Sequence, residues 1–215
     1  APSSLSCRKL IYLDSIGLWN GPSIAAHGVW LDAEDRAVLK ARGVGIVHCP
    51  SSNMKLASGI APVAAMLKEK MLVGLVTDGP AGSNNDFDLM EEMNLAADLQ
   101  KVATGDPTAV NAEQAVDMAT ILGAKAIGMD KEIGSIEPGK KADMAMVRID
   151  RPHAVPMYNV YSQLVYALKA SDVQDVIVNG VTVVSAGKAT RLNSPAILAK
   201  ARDFQKSVTA SLNKK

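Results

Sequence analysis

Met71-Leu72-Val73-Gly74-Leu75-Val76-Thr77-Asp78-Gly79-Pro80 is the stretch on which the fold turns. Its mostly apolar run, Met71 to Val76, is too short for a helix and is bounded by turn residues. It therefore reads as a strand buried on both faces, the pattern of a parallel sheet. The run breaks at Thr77-Asp78-Gly79, which puts a carboxylate at the carboxyl end of a buried strand. In α/β folds that end is where ligands and chemistry sit. Asp-Gly is also a common turn pair, so Asp78 is either a turn former or a site residue.

Working outward, two earlier runs end in the same way. Ile24-Ala25-Ala26 stops at His27-Gly28, and Val44-Gly45-Ile46-Val47 stops at His48-Cys49-Pro50. Helices are predicted over 8–20, from the N-cap Asp32 to Arg42, over 61–70, and from Phe87 to about Lys101. Ser51-Ser52-Asn53 reads as a polar loop, and Asn84-Asn85-Asp86 as the cap of the 87–101 helix. Strand and helix alternating in this way is the parallel βαβ repeat. In a (β/α) barrel, His27, His48 and Asp78 line one rim. Three units do not close a barrel of eight, and the open side exposes an apolar face and an unpaired edge.

Further on, Asn111 or Ala112 opens a helix predicted to reach Met129. Period-two patterning then takes over at Ala142–Asp150. Val173–Val178 and Val181–Val184, joined by Asn179-Gly180, predict a hairpin with a type I′ turn. Val160–Ala170 reads as a helix between these strands, and 194–215 as an amphipathic helix carrying Ile197, Leu198, Phe204 and Val208 on one side. The expected division is a barrel part over 1–133, sandwich strands with an inserted helix over 134–193, and a terminal helix over 194–215.

Composition narrows the class. Of 215 residues, 48% are hydrophobic and only 4% aromatic, so the core must rest on Ala, Val, Leu, Ile and Met. Lys plus Arg number 23 against 22 Asp plus Glu, which argues against a nucleic-acid or membrane surface built on bulk charge. Cys7 and Cys49 have no partners at metal spacing and read as free thiols of a reducing compartment, the cytoplasm. No run approaches the length needed to span a membrane. Ala1-Pro2-Ser3-Ser4 carries no signal pattern and reads as a cut or processed edge.

Of the three histidines, the first two have a plain and a functional reading. His27, before the uncrowding Gly28, either hydrogen-bonds a neighbouring loop or serves a site. His48 is weighed as a structural histidine on a strand end, and His153 in Arg151-Pro152-His153 as a solvated one. Asp78 with either of the first two makes an acid/base or metal-ligand pair. Zinc generally wants three protein ligands plus water, and no His-x-His or Cys cluster supplies the rest. Ser83, Asn84 and Asn85 are donors available to a ligand or, equally, helix caps.

Three segments together resemble the amidohydrolase superfamily. They are Ala25-Ala26-His27-Gly28-Val29-Trp30, Val47-His48-Cys49-Pro50-Ser51-Ser52-Asn53-Met54-Lys55-Leu56, and Val76-Thr77-Asp78-Gly79-Pro80-Ala81-Gly82-Ser83-Asn84-Asn85-Asp86. Within that superfamily they are most similar to the methylthioadenosine/S-adenosylhomocysteine deaminases and their chlorohydrolase relatives. Gly134-Ser135-Ile136-Glu137-Pro138-Gly139 resembles the superfamily's return from barrel to small β-sandwich.

The resemblance implies a (β/α)8 TIM barrel of which this chain carries strands six to eight, followed by part of a small β-sandwich. His27 then ends the sixth strand, orienting the attacking water and touching the purine site. Asp78 ends the eighth strand as a metal ligand that also shuttles the proton. Ser83 falls near a substrate contact, and His48 ends the seventh strand without an assigned role. The implied cofactor is one divalent metal ion, zinc or iron, and the implied reaction is hydrolytic deamination of an adenosine derivative. The family's His-x-His, its fifth-strand His and the Glu that follows it are missing here. The chain is therefore expected to be inactive alone and to need the N-terminal half of the barrel as its partner, with a homo-oligomer possible. Two rivals stand beside this reading: a chlorohydrolase or guanine- or triazine-type aminohydrolase, and a non-catalytic binding module on the same fold.

Overall fold

In the computed structural model of the chain, residues 7–213 are described, with side chains from Leu10 onward. The reading of Ala1–Ser4 as a cut edge, and the thiol of Cys7, lie outside them.

Two sheets organise the molecule. The first is three-stranded and parallel, in the order β1 (Ile24–Ala26), β2 (Gly45–His48), β3 (Val73–Leu75). Ala26 pairs with Val47 and His48 with Leu75, so the three strand ends lie side by side. The second sheet is antiparallel: β4 (Met144–Val147), β5 (Val173–Val178), β6 (Val181–Ser185) and a short β7 (Lys188–Ala189) that the sequence pattern did not announce. Asn179 and Gly180 both have positive φ, as the predicted two-residue turn requires.

Helices cross over between the parallel strands. α1 spans Cys7–Ser15, shorter than predicted because the chain turns out of the helix before Gly17. α2 (Ala33–Ala41) begins at Asp32, where Asp32 and Asp35 cap each other's backbone reciprocally. α3 (Pro50–Lys55) occupies the segment expected as a polar loop. Proline is well suited to the first helical position, and the serines and asparagine behind it turn inward. α4 covers Val63–Lys68 and α5 covers Leu89–Thr104. The cap of α5 is Asp88, whose side chain accepts from Met90 N and Glu91 N; Asn84-Asn85-Asp86 lie before it.

The helix expected over 112–129 is broken in two, α6 (Ala112–Ala119) and α7 (Ile121–Ala126). Thr120, at φ −127° and ψ −100°, makes the break. The break lets α7 lie directly on the sheet. A Cβ on Gly74 of β3 would come 2.9 Å from Gly123 Cα, and one on Gly45 of β2 would come 2.0 Å from Ala126 O. Only glycine permits that approach.

α8 (Val160–Ser162) runs on into π-helical turns over Gln163–Ala167, and α9 spans Ser194–Leu212. The core is aliphatic, as the composition required: Leu39, Val44, Ile46, Val63, Met66, Val73, Ala96, Ala97 and Met118 are buried together, joined by Val165 from the π-helical turns. No residue of α9 is buried, and Ile197, Leu198, Phe204 and Val208 are each more than half exposed. Among the described residues no helix is long and apolar enough to cross a membrane.

Candidate active site

At the carboxyl ends of the parallel strands the sheet delivers His27, His48 and Asp78 to one edge. His27 and Asp78 both have left-handed backbone, φ 68° and 61°, and each is followed by a glycine. That conformation is uncommon for residues with a Cβ and clusters at functional sites. It leaves their side chains partly open, with 42% and 29% exposure.

His27 Nε2 lies 3.8 Å from Asp78 Oδ2, too far for a hydrogen bond and close enough to share a ligand. The other ring nitrogen, Nδ1, is 2.8 Å from Asn53 Oδ1. An amide oxygen only accepts, so Nδ1 carries the hydrogen and neutral His27 presents a lone pair at Nε2. Asp78 takes a hydrogen bond from Ser52 Oγ at 2.7 Å on Oδ2, and one from Gly79 N at 2.7 Å on Oδ1. The Ser52 hydroxyl foremost, then Gly79 N–H and Ser83, hold the Asp78 carboxyl below the usual range, so it is ionised at neutral pH.

The remaining predicted residues divide. Ser83 lies beside Asp78 and donates from Oγ to Gly79 O at 3.1 Å. His48 points into the interior: it is 1% exposed, and neither ring nitrogen has a hydrogen-bond partner among the described residues. Burial, with a smaller contribution from His27, lowers its pKa to about 4, so it is neutral. His48 is thus buried without the hydrogen bonds that a buried histidine ordinarily makes among its neighbours. His153 is not simply solvated, since its Nε2 is 2.7 Å from Oδ2 of the buried Asp172. Cys49 is a free, buried thiol whose pKa burial raises to about 11, which leaves it inert.

Sequence reasoning missed a polar layer behind the site. Asn84, expected as a ligand donor or a cap, instead donates from Nδ2 to Thr77 O at 2.8 Å and to Glu92 Oε1 at 3.1 Å. Glu92 is 1% exposed and takes two further hydrogen bonds, from the backbone N and the hydroxyl of Ser51. Burial raises its pKa against the pull of those donors. The available signal was Pro50, a residue suited to opening a helix, followed by three polar residues.

Two surface depressions of about 360 and 440 Å³ lie elsewhere, one beside Leu67, Asp106 and Gln114, the other beside Asp14, Glu34 and Arg42. Among the described residues no three His, Cys, Asp or Glu side chains converge as a metal site.

A parallel sheet with an imidazole and an ionised carboxylate on one carboxyl-end rim puts candidate site residues where α/β scaffolds carry their ligands and chemistry. The amidohydrolase family matches residues 6–183, and the chain belongs to that family. It is 45% identical over 194 residues to a 5-methylthioadenosine/S-adenosylhomocysteine deaminase of Thermodesulfovibrio yellowstonii, covering 90% of this chain and 44% of that protein. It is 51% identical over 169 residues to the protein of that name from Thermoanaerobacter pseudethanolicus, covering 79% and 39%. Among solved structures, a zinc-bound adenosine deaminase from Xanthomonas campestris superposes with a TM-score of 0.90 at 37% identity, over 94% of this chain and 46% of that one. A zinc-complexed atrazine chlorohydrolase from Arthrobacter aurescens shares the fold, with a TM-score of 0.79 at 24% identity over 90% of this chain and 43% of that one. The chain thus spans less than half the length of the curated relatives it matches.

Proposed function

We propose that this chain is the catalytic-rim portion of a metal-dependent hydrolytic deaminase acting on an adenosine derivative such as methylthioadenosine or S-adenosylhomocysteine. β1, β2 and β3 are taken as the sixth, seventh and eighth strands of a (β/α)8 barrel, with residues 1–133 as the barrel part, 134–193 as sandwich strands with an inserted helix, and 194–215 as a terminal helix. The observation that carries the reading is the pair His27 and Asp78, 3.8 Å apart on one rim. The identity to deaminase-named relatives supports it.

Asp78 fits a divalent cation: it is an ionised carboxylate, held by donors from behind and open in front. It is one ligand where a catalytic site needs about three, so on this reading the remaining ligands come from an N-terminal half of the barrel. Bound there, zinc or iron would supply Lewis acidity, lowering the pKa of water toward neutrality. Asp78 takes up a proton at its carboxylate and delivers it to the departing amine. His27, with its Nε2 lone pair forward, accepts a hydrogen bond from the water and fixes its approach. Ser83 is assigned to substrate contact, its hydroxyl turning there from Gly79 O.

The test is product analysis on the protein with its complete barrel and on the 215-residue chain alone. Ammonia and an inosine-type product from the former, with nothing from the latter, are expected. Chloride release from chlorinated triazines would transfer the assignment to a chlorohydrolase. No turnover and no bound metal in the complete protein would leave a binding module.

A further inference from the structure

The six residues of α3 carry three consecutive polar side chains, and each reaches a different part of the fold. Ser51 holds Glu92 of α5 through its backbone N and its hydroxyl. Ser52, wholly buried, donates to Asp78 Oδ2 at 2.7 Å. Asn53, 2% exposed, accepts from His27 Nδ1 at 2.8 Å. The far side is closed by Asn84, which bonds both Glu92 and the carbonyl of Thr77, the residue before Asp78.

Burying polar groups of this kind is costly unless each finds partners, and apolar residues fill such a position at no such penalty. Asn53 does not find all of its own: its Nδ2 is buried with no partner among the described residues. A purely structural asparagine is expected to satisfy its amide. This one leaves a donor orphaned while its oxygen meets His27.

We infer that Asn53 and Ser52 are positioning residues, Asn53 locking His27 with its hydrogen on Nδ1 and its Nε2 lone pair toward the reaction space, and Ser52 locking the Asp78 carboxylate to face it. Ser51 and Glu92 are the anchor that keeps α3 from shifting. The catalytic meaning rests on the deaminase reading of His27 and Asp78; the tautomer itself does not. Metal sites and hydrolytic sites alike depend on such backing groups to fix tautomer and orientation.

Long-range ¹H–¹⁵N correlation spectra of the 215-residue chain, recorded well above the ordinary histidine pKa of about 6.5, read the tautomer directly. The expected result is His27 with a protonated Nδ1 and an unprotonated Nε2. Asn53→Ala should move the hydrogen to Nε2 or average the two forms, and Asn53→Asp, which keeps an acceptor, should restore Nδ1–H. Protonated Nε2 in the wild type, or an unchanged tautomer in Asn53→Ala, overturns the inference. If Asn53→Ala does not fold, the wild-type and Asn53→Asp spectra decide between them.

In the protein with its complete barrel, Asn53→Ala is expected to lower kcat by about ten- to a hundredfold with KM changed less than about threefold. An active wild type with unaltered kcat in that variant sinks the positioning role and leaves the deaminase reading standing. An inactive wild type sinks the deaminase reading, and the tautomer spectra still decide the other.

Discussion

His27 Nε2 and Asp78 Oδ2 face one another across 3.8 Å as two acceptors, with no hydrogen between them while His27 is neutral. Two acceptors at that distance repel unless a proton donor or a cation lies between them. Asp78 cannot swing away without losing Ser52 Oγ and Gly79 N.

Asp78→Asn removes the charge and the proton acceptor but keeps the shape. In the protein with its complete barrel, deaminase turnover should fall by at least about a hundredfold while the melting temperature stays within a few degrees. Steady-state kinetics beside a thermal scan check this. Retained activity would show that the carboxylate is not the proton carrier.

Glu92 predicts a pH signature. Its folded pKa is raised, so the stability linked to it is complete below the unfolded value of about 4.5 and declines as pH rises through the folded value. Wild-type urea midpoints should accordingly lose ground to those of Glu92→Gln as pH increases from about 4 to 7. Parallel curves for the two proteins would contradict this.

Gly45→Ala should destabilise by about 1–3 kcal/mol or more, because the new Cβ meets backbone at Ala126 rather than a side chain that can turn aside. Gly21→Ala has nothing within 4 Å and no positive φ, and should stay within about 0.5 kcal/mol of wild type. Denaturant titration of the two variants side by side reads the contrast.

Asp88→Ala removes the side chain that caps α5 and should cost about 1 kcal/mol. Asp86→Ala, at the position the sequence pattern suggested, should cost distinctly less. Reversal of that order in unfolding experiments would restore the earlier cap.

Deleting residues 194–215 should leave the unfolding midpoint of the rest nearly unchanged, since no residue of α9 is buried. A loss above about 1 kcal/mol by urea titration would mean that α9 is bound to the body of the protein.

The strand ends at His27, His48 and Asp78 were legible because short apolar runs closed by turn residues have few other readings. The break at Thr120 was not, because the apolar period continues through it. What the break serves, the close approach of Gly123 in α7 to Gly74 in β3, joins residues far apart in the chain. α3 was hidden for a related reason. Ser51-Ser52-Asn53 has loop chemistry locally, and its partners Glu92, Asp78 and His27 lie 41, 26 and 26 residues away. Asp88 displaced Asp86 as a cap within the margin by which helix ends are ordinarily misplaced.

The left-handed backbone at His27 and Asp78 carries a further consequence for anyone evolving this protein in the laboratory. Glycine is the residue such a conformation favours, and at each position it would relieve about 1 kcal/mol of backbone strain while removing a side chain held by Asn53 or Ser52. The relief is offset at both sites, because glycine would orphan the buried Asn53 amide or the buried Ser52 hydroxyl at about 1–3 kcal/mol each, so heat-tolerance screening should leave these two strained residues in place.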